Sequence, residues 1–137
     1  MSFYNPDVHT PKAVHFIEKH TGQLVISDWV RVEMTSALGI QLRRNDISRA
    51  LANELLTNFS HHCSGRFYQQ IAVTTIHFSE AERLLRPLNR NLRSADALHL
   101  AVAKLENLAL VTADGALANI AREEGVATLY LSSQVRK

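Results

Sequence analysis

Short apolar runs alternate along the chain with longer stretches in which an apolar residue recurs every three or four positions. Two of the runs, residues 24–26 and 108–111, predict strands that are buried on both faces, because such strands have no polar side. Residues 67–73 and 126–131 predict two further strands. The stretches between them have the spacing of amphipathic helices. The pattern therefore predicts strands and helices in alternation.

Polar residues that can cap a helix precede the helical stretches, because their side-chain oxygens can accept hydrogen bonds from the first helical amides. These residues are Thr10 before Pro11, Ser27, Asn45-Asp46, Ser79, Ser94 and Asp114. Ser79 also has Glu82 three positions later, as in a capping box. Pro87 is expected to end the helix that starts at Ser79. Parallel strands need a crossover connection, so the alternation predicts an α/β domain with a central, mostly parallel sheet flanked by helices.

Length and composition fit one folded domain. The chain has 137 residues, of which 46% are hydrophobic and 20% charged, and no linker or repeat divides it. We therefore predict a single domain over residues 1–137. A single cysteine, Cys63, excludes an internal disulfide framework and indicates a reducing compartment, for which the cytoplasm is the natural expectation. No apolar run approaches the roughly 20 residues of a membrane span, so no membrane association is expected.

The formal charge of +2 is too small for bulk attraction to nucleic acid, so any such affinity must come from a local patch. The sequence contains one candidate, which we call the basic strip: Arg83, Arg86, Arg90 and Arg93. Its arginines could guide phosphates, and a solvated basic face is the alternative that the sequence leaves open.

Three carboxylates occupy positions where an open parallel sheet gathers ligands, at or near the carboxyl ends of strands. Asp114 follows the run 108–111, with Thr112 two positions earlier, and Glu33 lies on a helix beside apolar neighbours. Asp96 falls in the first turn after Ser94, and His99 lies one turn later on the same side. Each has an ordinary alternative: a helix cap for Asp114, a boundary residue for Glu33, a helix-dipole partner for Asp96 and a satisfied core residue for His99.

The joint occurrence of these acids suggests a metal site. Carboxylates that converge in a site of low dielectric constant repel one another, so a cluster needs protonation or a cation. A hard divalent ion such as Mg²⁺ prefers oxygen ligands, keeps several waters and polarises phosphate groups. Zinc at His61-His62-Cys63 is disfavoured because adjacent side chains rarely converge on one ion.

Three segments carry a resemblance to a known family: VEMTSAL (32–38), RSADALHLA (93–101) and LVTAD (110–114). They resemble the PIN-domain family, and in particular its VapC-like toxins of bacterial toxin–antitoxin pairs. The resemblance runs from about Tyr4 to Leu131. It implies a three-layer PIN-like fold and a ribonuclease dependent on Mg²⁺ or Mn²⁺ that cleaves single-stranded RNA. It also implies a homodimer or higher oligomer, held inactive by a cognate antitoxin whose tail enters the acidic groove.

The resemblance also assigns roles to residues. Glu33 matches the family's second acid, Asp96 its third and Asp114 its fourth, while Thr112 matches the polar residue that supports the site. Family members open with a central strand that ends in the first aspartate, and this chain is expected to begin after that strand. It would therefore be N-terminally incomplete, without one core strand and one metal ligand.

The missing strand has two expected consequences. Asp7, in a Pro-flanked loop, and Asp28, at a helix start, are possible substitutes for the first acid, although ordinary roles are favoured for both. An exposed gap in the sheet would also invite pairing with another chain, and hence oligomerisation.

Two other classes of function remain open at this stage. One is a non-catalytic module of the same fold that binds an antitoxin or RNA. The other is a doubly wound regulatory domain unrelated to RNA, which also places acids at strand ends.

Overall fold

A parallel sheet organises the chain. The computed structural model describes residues 2–8, 10–20, 22–65 and 67–131. Its strands are β1 (Phe3–Tyr4), β2 (Leu24–Ser27), β3 (Gln69–Ile71), β4 (Ala109–Thr112) and β5 (Thr128–Tyr130). They form one five-stranded sheet in the order β3-β2-β1-β4-β5, with every neighbouring pair parallel. The predicted α/β class with a parallel sheet is confirmed.

The helices connect the strands and cover the sheet. They are α1 (Pro11–Lys19), α2 (Asp28–Arg43), α3 (Arg49–Ser64), α4 (Thr75–Leu85), α5 (Ser94–Leu105) and α6 (Gly115–Glu123). Helix α5 is the most enclosed of them, because every residue from 97 to 103 is buried. No helix in the described ranges is long and apolar enough to cross a membrane.

The centre of the sheet differs from the expectation. We predicted that a core strand is absent, but Phe3 and Tyr4 form β1, paired with Leu24 and Val25 of β2 on one side and with β4 on the other. Two residues followed by Asn5-Pro6 are too few to show an alternating pattern, so no local signal predicts this strand. Oligomerisation through an open gap in the sheet therefore loses its structural basis.

Several predicted helix starts are confirmed by capping hydrogen bonds. The Thr10 hydroxyl accepts from the Ala13 amide at 3.4 Å, and the Ser27 hydroxyl accepts from the Val30 amide at 3.3 Å. Helix α3 begins slightly later than Asn45-Asp46 suggests, because the Ser48 hydroxyl is its cap.

Two other helix starts were predicted wrongly. Helix α4 begins one turn before the expected cap at Ser79, since the Thr74 amide donates to Nδ1 of His77 at 3.0 Å. This cap depends on a tertiary contact, because Nε2 of the His77 ring is hydrogen bonded to Glu106 at 2.9 Å. Helix α5 is preceded by Arg93 as N-cap, so that Ser94 is its first helical residue.

Candidate functional site

The predicted acids come together at the carboxyl edge of the sheet. A cavity of about 390 Å³ opens there, and its polar lining includes four carboxylates, Asp7, Glu33, Asp96 and Asp114, together with Thr112. We call this cavity the carboxylate pocket. Its acids come from the loop after β1, from α2, from the first turn of α5 and from the start of α6. The topology thus gathers side chains that lie more than one hundred positions apart in the sequence.

Asp7 is the acid that sequence reasoning did not favour. It lines the pocket, and its carboxylate accepts from the Thr10 hydroxyl at 2.7 Å and from the Thr10 amide at 3.3 Å. Its position three residues after Tyr4 is a usable signal once β1 is known. Asn5, the first residue after β1, is buried and donates its side-chain amide to the Phe3 carbonyl at 3.3 Å.

Asp28, the other candidate substitute, does not line the pocket. Its carboxylate accepts from the Val73 amide at 3.0 Å and so ties the start of α2 to the segment after β3. This bond joins residues 45 positions apart, so Asp28 makes a tertiary contact in addition to standing at the helix start as the ordinary alternative assumed.

A hydrogen-bonded network of four side chains reaches the pocket from the centre of the sheet; we call Ser27, Tyr4, His99 and Glu33 the polar network. The hydroxyl of Tyr4 lies 2.7 Å from the Ser27 hydroxyl and 2.8 Å from Nδ1 of His99. Nε2 of His99 is hydrogen bonded to the Glu33 carboxylate. Tyr4 and Ser27 are 0% exposed and His99 is 4% exposed, whereas the Glu33 side chain is 32% exposed.

The polar network confirms that His99 is a satisfied core histidine, and it also links that core to the site. Burial raises the pKa of Tyr4 well above its usual range, and the negative charges of Glu33 and Asp28 act in the same direction, so the phenol stays neutral. Sequence reasoning missed Tyr4 altogether, because nothing in its neighbourhood indicates a partner 95 positions away.

Other acids of the pocket act on the pKa of Asp96. Burial raises its pKa, the negative charges of Asp114 and Glu33 raise it further, and the electrostatic effects of His99 and Arg93 oppose the shift. The carboxylates are therefore close enough to destabilise one another when all are ionised. A bound cation would remove this cost.

Asp114 is both a helix cap and a pocket acid. Its Oδ1 accepts from the amides of Ala116 at 2.9 Å and Leu117 at 3.3 Å. Its own amide donates to the Thr112 hydroxyl at 3.0 Å, so Thr112 fixes the backbone that carries the acid. Both capping bonds fall on one carboxylate oxygen.

Three of the four arginines of the basic strip are paired with carboxylates. Arg83 is bonded to Glu80 at 2.6 Å and to Glu124 at 2.9 Å, and Arg90 is bonded to Glu124 at 2.8 Å. Arg86 is paired with its helix neighbour Glu82 at 3.3 Å. Arg93 differs from these three, because its charge acts on Asp96.

A model of the PIN domain matches residues 1–123. The chain belongs to the PIN domain family. PIN domains are generally nucleases, and the family generally uses divalent metal ions. The family resemblance of the three sequence segments is thereby confirmed, and this PIN domain has the parallel sheet and flanking helices that the sequence predicted, with β1 as an additional strand.

Solved structures share the fold. This PIN domain is similar to FitAcB from Neisseria gonorrhoeae, with 14% identity, a TM-score of 0.65 and coverage of 94% of this chain and 96% of that one. PAE2754 from Pyrobaculum aerophilum gives 20% identity, a TM-score of 0.68 and coverage of 93% and 89%. A toxin–antitoxin complex from Klebsiella pneumoniae gives 16% identity and a TM-score of 0.53, with coverage of 83% of this chain and 87% of that one. No curated protein matches the chain.

The donor set of this PIN domain suits a hydrated hard cation. The pocket offers carboxylate oxygens, which are the ligands that Mg²⁺ and Mn²⁺ accept. Within the described ranges, no three His, Cys, Asp or Glu side chains are already close enough to enclose an ion. Mg²⁺ usually keeps several waters and takes one or two carboxylates directly, so a closed cage is not required. Zinc at positions 61–63 gains no support, because Cys63 is buried while His61 and His62 are exposed.

Proposed function

We propose that this PIN domain is a metal-dependent endonuclease of the toxin–antitoxin type that hydrolyses phosphodiester bonds in single-stranded RNA. The observation that supports the proposal is the convergence of four acids on one pocket, where the pKa of Asp96 is raised in part by its acidic neighbours. Glu33, Asp96 and Asp114 are the proposed ligands of Mg²⁺ or Mn²⁺, and Asp7 joins them in place of the family's first acid.

The residues of the pocket have two roles, which are to bind the cation and to hold the acids in place. The chemistry that a bound Mg²⁺ supplies is polarisation of the phosphate that is attacked. Thr112 and the first amides of α6 hold Asp114, and Thr10 holds Asp7. Val111 and Leu117 are buried and belong to the apolar part of the pocket lining. Such fixed positions matter because displacement of a catalytic group by about 1 Å can cost about a hundredfold in rate.

One observation favours the second candidate, a non-catalytic module that binds RNA or an antitoxin. Asn5 follows β1 where the family has its first acid, and an amide carries no charge for a cation. Asp7 in the pocket favours the enzyme instead. The two candidates therefore differ in whether Asp7 supplies the missing charge.

Cleavage of labelled single-stranded RNA and transfer RNA in Mg²⁺ or Mn²⁺ separates the two candidates. We expect cleavage that is lost in Asp96→Asn and Asp7→Asn and retained in Glu54→Gln, which changes an exposed acid on α3. Equal traces of cleavage in the wild type and all variants, with folded protein in each, would leave the binding module.

We also propose a cognate antitoxin and a second copy of this chain as protein partners. The similar Klebsiella structure is a toxin–antitoxin complex, which supports the first partner. The second is supported by a groove of about 670 Å³ with a mainly apolar lining, which includes Trp29, Phe78, Leu85, Leu88 and Leu98. Phe78 is 56% exposed and Leu88 is 90% exposed. Large exposed apolar patches on a folded domain mark interaction sites.

The charges in the groove fit a pair of identical copies. Glu82 and Arg86 both line it and are paired within one chain at 3.3 Å, so a two-fold axis can exchange this pair for Glu82 of one copy opposite Arg86 of the other. Light scattering tests the assignment: we expect a dimer that Leu88→Glu converts to a monomer and that Val32→Glu, on the exposed face of α2, leaves intact. A wild-type monomer at micromolar concentration would refute it.

A further inference from the structure

We propose that His99 is a positioning residue for Glu33, and that Tyr4 and Ser27 hold His99 in the orientation this requires. The polar network would then set the affinity of the carboxylate pocket for a divalent cation. This inference rests on the proposed function, because it takes Glu33 as a metal ligand.

The direction of the hydrogen bonds supports this role. An ionised carboxylate can only accept, so Nε2 of His99 must carry the hydrogen that it shares with Glu33. In the neutral ring, Nδ1 then accepts from the Tyr4 hydroxyl at 2.8 Å, and Tyr4 accepts from Ser27 at 2.7 Å. Ser27 in turn accepts from the Val30 amide at 3.3 Å. The hydroxyls of Ser27 and Tyr4 and both ring nitrogens of His99 thus have partners in one consistent direction.

The location of the polar network argues against a role in packing alone. Its four members come from β1, β2, α2 and α5, and Glu33 is the one that is substantially exposed. Buried polar groups add little stability over apolar groups of the same shape, since each bond replaces one with water. The polar network begins in the core and ends on the Glu33 carboxylate. It therefore fixes the position of that carboxylate.

Glu33 needs such support because its side chain is long and only partly covered. Without the bond from His99, its carboxylate would sample several rotamers, and each would place the oxygens differently relative to Asp96 and Asp114. Groups that hydrogen bond to metal ligands commonly change metal affinity by about 10–100-fold when they are removed. We expect an effect at the lower end of that range, because Glu33 keeps its place on α2.

The test measures Mn²⁺ binding by the full chain with electron paramagnetic resonance, without reference to activity. We expect His99→Leu to raise the Kd for Mn²⁺ about tenfold. His99→Gln should recover part of the loss, because its amide can still donate to Glu33. Tyr4→Phe keeps the ring and removes the hydroxyl, and it should raise the Kd several-fold.

His77 offers a matched control. It is also 4% exposed, and its Nε2 also bonds a carboxylate, that of Glu106 at 2.9 Å, but it does not line the pocket. His77→Leu should therefore lower stability and leave the Kd for Mn²⁺ unchanged. Circular dichroism of each variant establishes that it is folded, and His99→Gln and Tyr4→Phe serve if His99→Leu does not fold.

A double-mutant cycle with Glu33→Gln decides between positioning and general damage. If His99 acts through Glu33, His99→Leu has no further effect on the Kd in the Glu33→Gln background. An equal loss in both backgrounds, or an unchanged Kd in His99→Leu when Glu33→Gln weakens binding, overturns the inference and leaves the proposed metal site. Absence of Mn²⁺ binding by the wild type refutes the proposed metal site itself, and no effect of Glu33→Gln on the Kd refutes Glu33 as one of its ligands.

Discussion

The hydroxyl of Tyr4, on the central strand β1, lies 2.8 Å from Nδ1 of His99, on the helix that carries Asp96. Both side chains are buried, and 95 positions separate them in the sequence. This contact joins the shortest and most central strand to the carboxylate pocket, so the stability of the core and the geometry of the site depend on the same hydroxyl group.

Replacement of Tyr4 by phenylalanine should therefore destabilise the fold. The ring and its packing remain, but the Ser27 hydroxyl and Nδ1 of His99 lose a buried partner, which costs roughly 1–3 kcal/mol. Urea denaturation measures the change in the free energy of unfolding. The control is Tyr68→Phe, since no hydrogen bond of the buried Tyr68 side chain is found among the described residues. A loss in Tyr4→Phe no larger than in Tyr68→Phe would contradict this account.

Local signals in the sequence predicted the parts of the fold that depend on neighbouring residues. The caps at Thr10, Ser27 and Asp114 each need a hydroxyl or carboxylate two to three positions before an amide, and all three were found. The start of α4 was missed because the ring of His77 caps it, and that ring is held by Glu106, the C-cap residue of α5.

The site was predicted in part for the same reason. Asp96 and Asp114 lie in recognisable segments at helix starts, and the structure places both in the pocket. Asp7 and Tyr4 could not be ranked, because their importance depends on β1, a strand of two residues with no pattern of its own. Pairing across the sheet, rather than local spacing, gives these residues their neighbours.

Asp96→Asn should stabilise the metal-free protein and remove its response to metal. The pKa of Asp96 is raised in the folded state, so its ionised form weakens the fold as the pH rises through that pKa. At neutral pH the substitution should add up to about 1 kcal/mol to the free energy of unfolding, because solvent screens this partly exposed group.

Thermal unfolding with and without Mg²⁺ or Mn²⁺ checks both effects. A saturating ion should stabilise the wild type by about 2.7 kcal/mol at a hundredfold excess over its Kd. Asp96→Asn should show a higher Tm without metal and little shift with it. An equal metal-dependent shift in both proteins would exclude Asp96 as a ligand.

Lowering the pH should weaken the ion pairs by which Glu124 connects the end of α6 to α4 and α5. Hydrogen bonds from Arg90, and then from Arg83 and Lys104, lower the pKa of Glu124 to about 2. A lowered pKa contributes stability above the ordinary value of about 4.3, and that contribution is lost as the pH falls toward 2.

Glu124→Gln should therefore cost on the order of 1 kcal/mol near pH 6 and flatten the fall in stability between about pH 5 and pH 2. Urea midpoints over that range measure the effect. Glu123→Gln changes the adjacent exposed acid, for which no ion pair is found in the described ranges, and should leave the profile unchanged. A profile for Glu124→Gln as steep as that of the wild type would show that the ion pairs contribute nothing.

Arg93 and Arg90 should have different effects on RNA binding. The positive charge of Arg93 lowers the pKa of Asp96, whereas Arg90 is hydrogen bonded to Glu124 at 2.8 Å and to the Leu84 carbonyl at 3.3 Å. A cation that already has a carboxylate partner contributes less to phosphate binding, because that partner must be displaced first. We therefore expect Arg93→Ala to weaken RNA binding and to lower the slope of log K against log salt by about 1.

Arg90→Ala should instead lower stability and leave that slope close to the wild-type value. Filter binding of a labelled single-stranded RNA in EDTA, over a range of salt concentrations, measures affinity without cleavage. If Arg90→Ala changes the slope as much as Arg93→Ala does, the ion pairs of Arg90 open in the complex and the basic strip binds RNA as a unit. If neither variant changes the slope, phosphates approach the pocket along another surface.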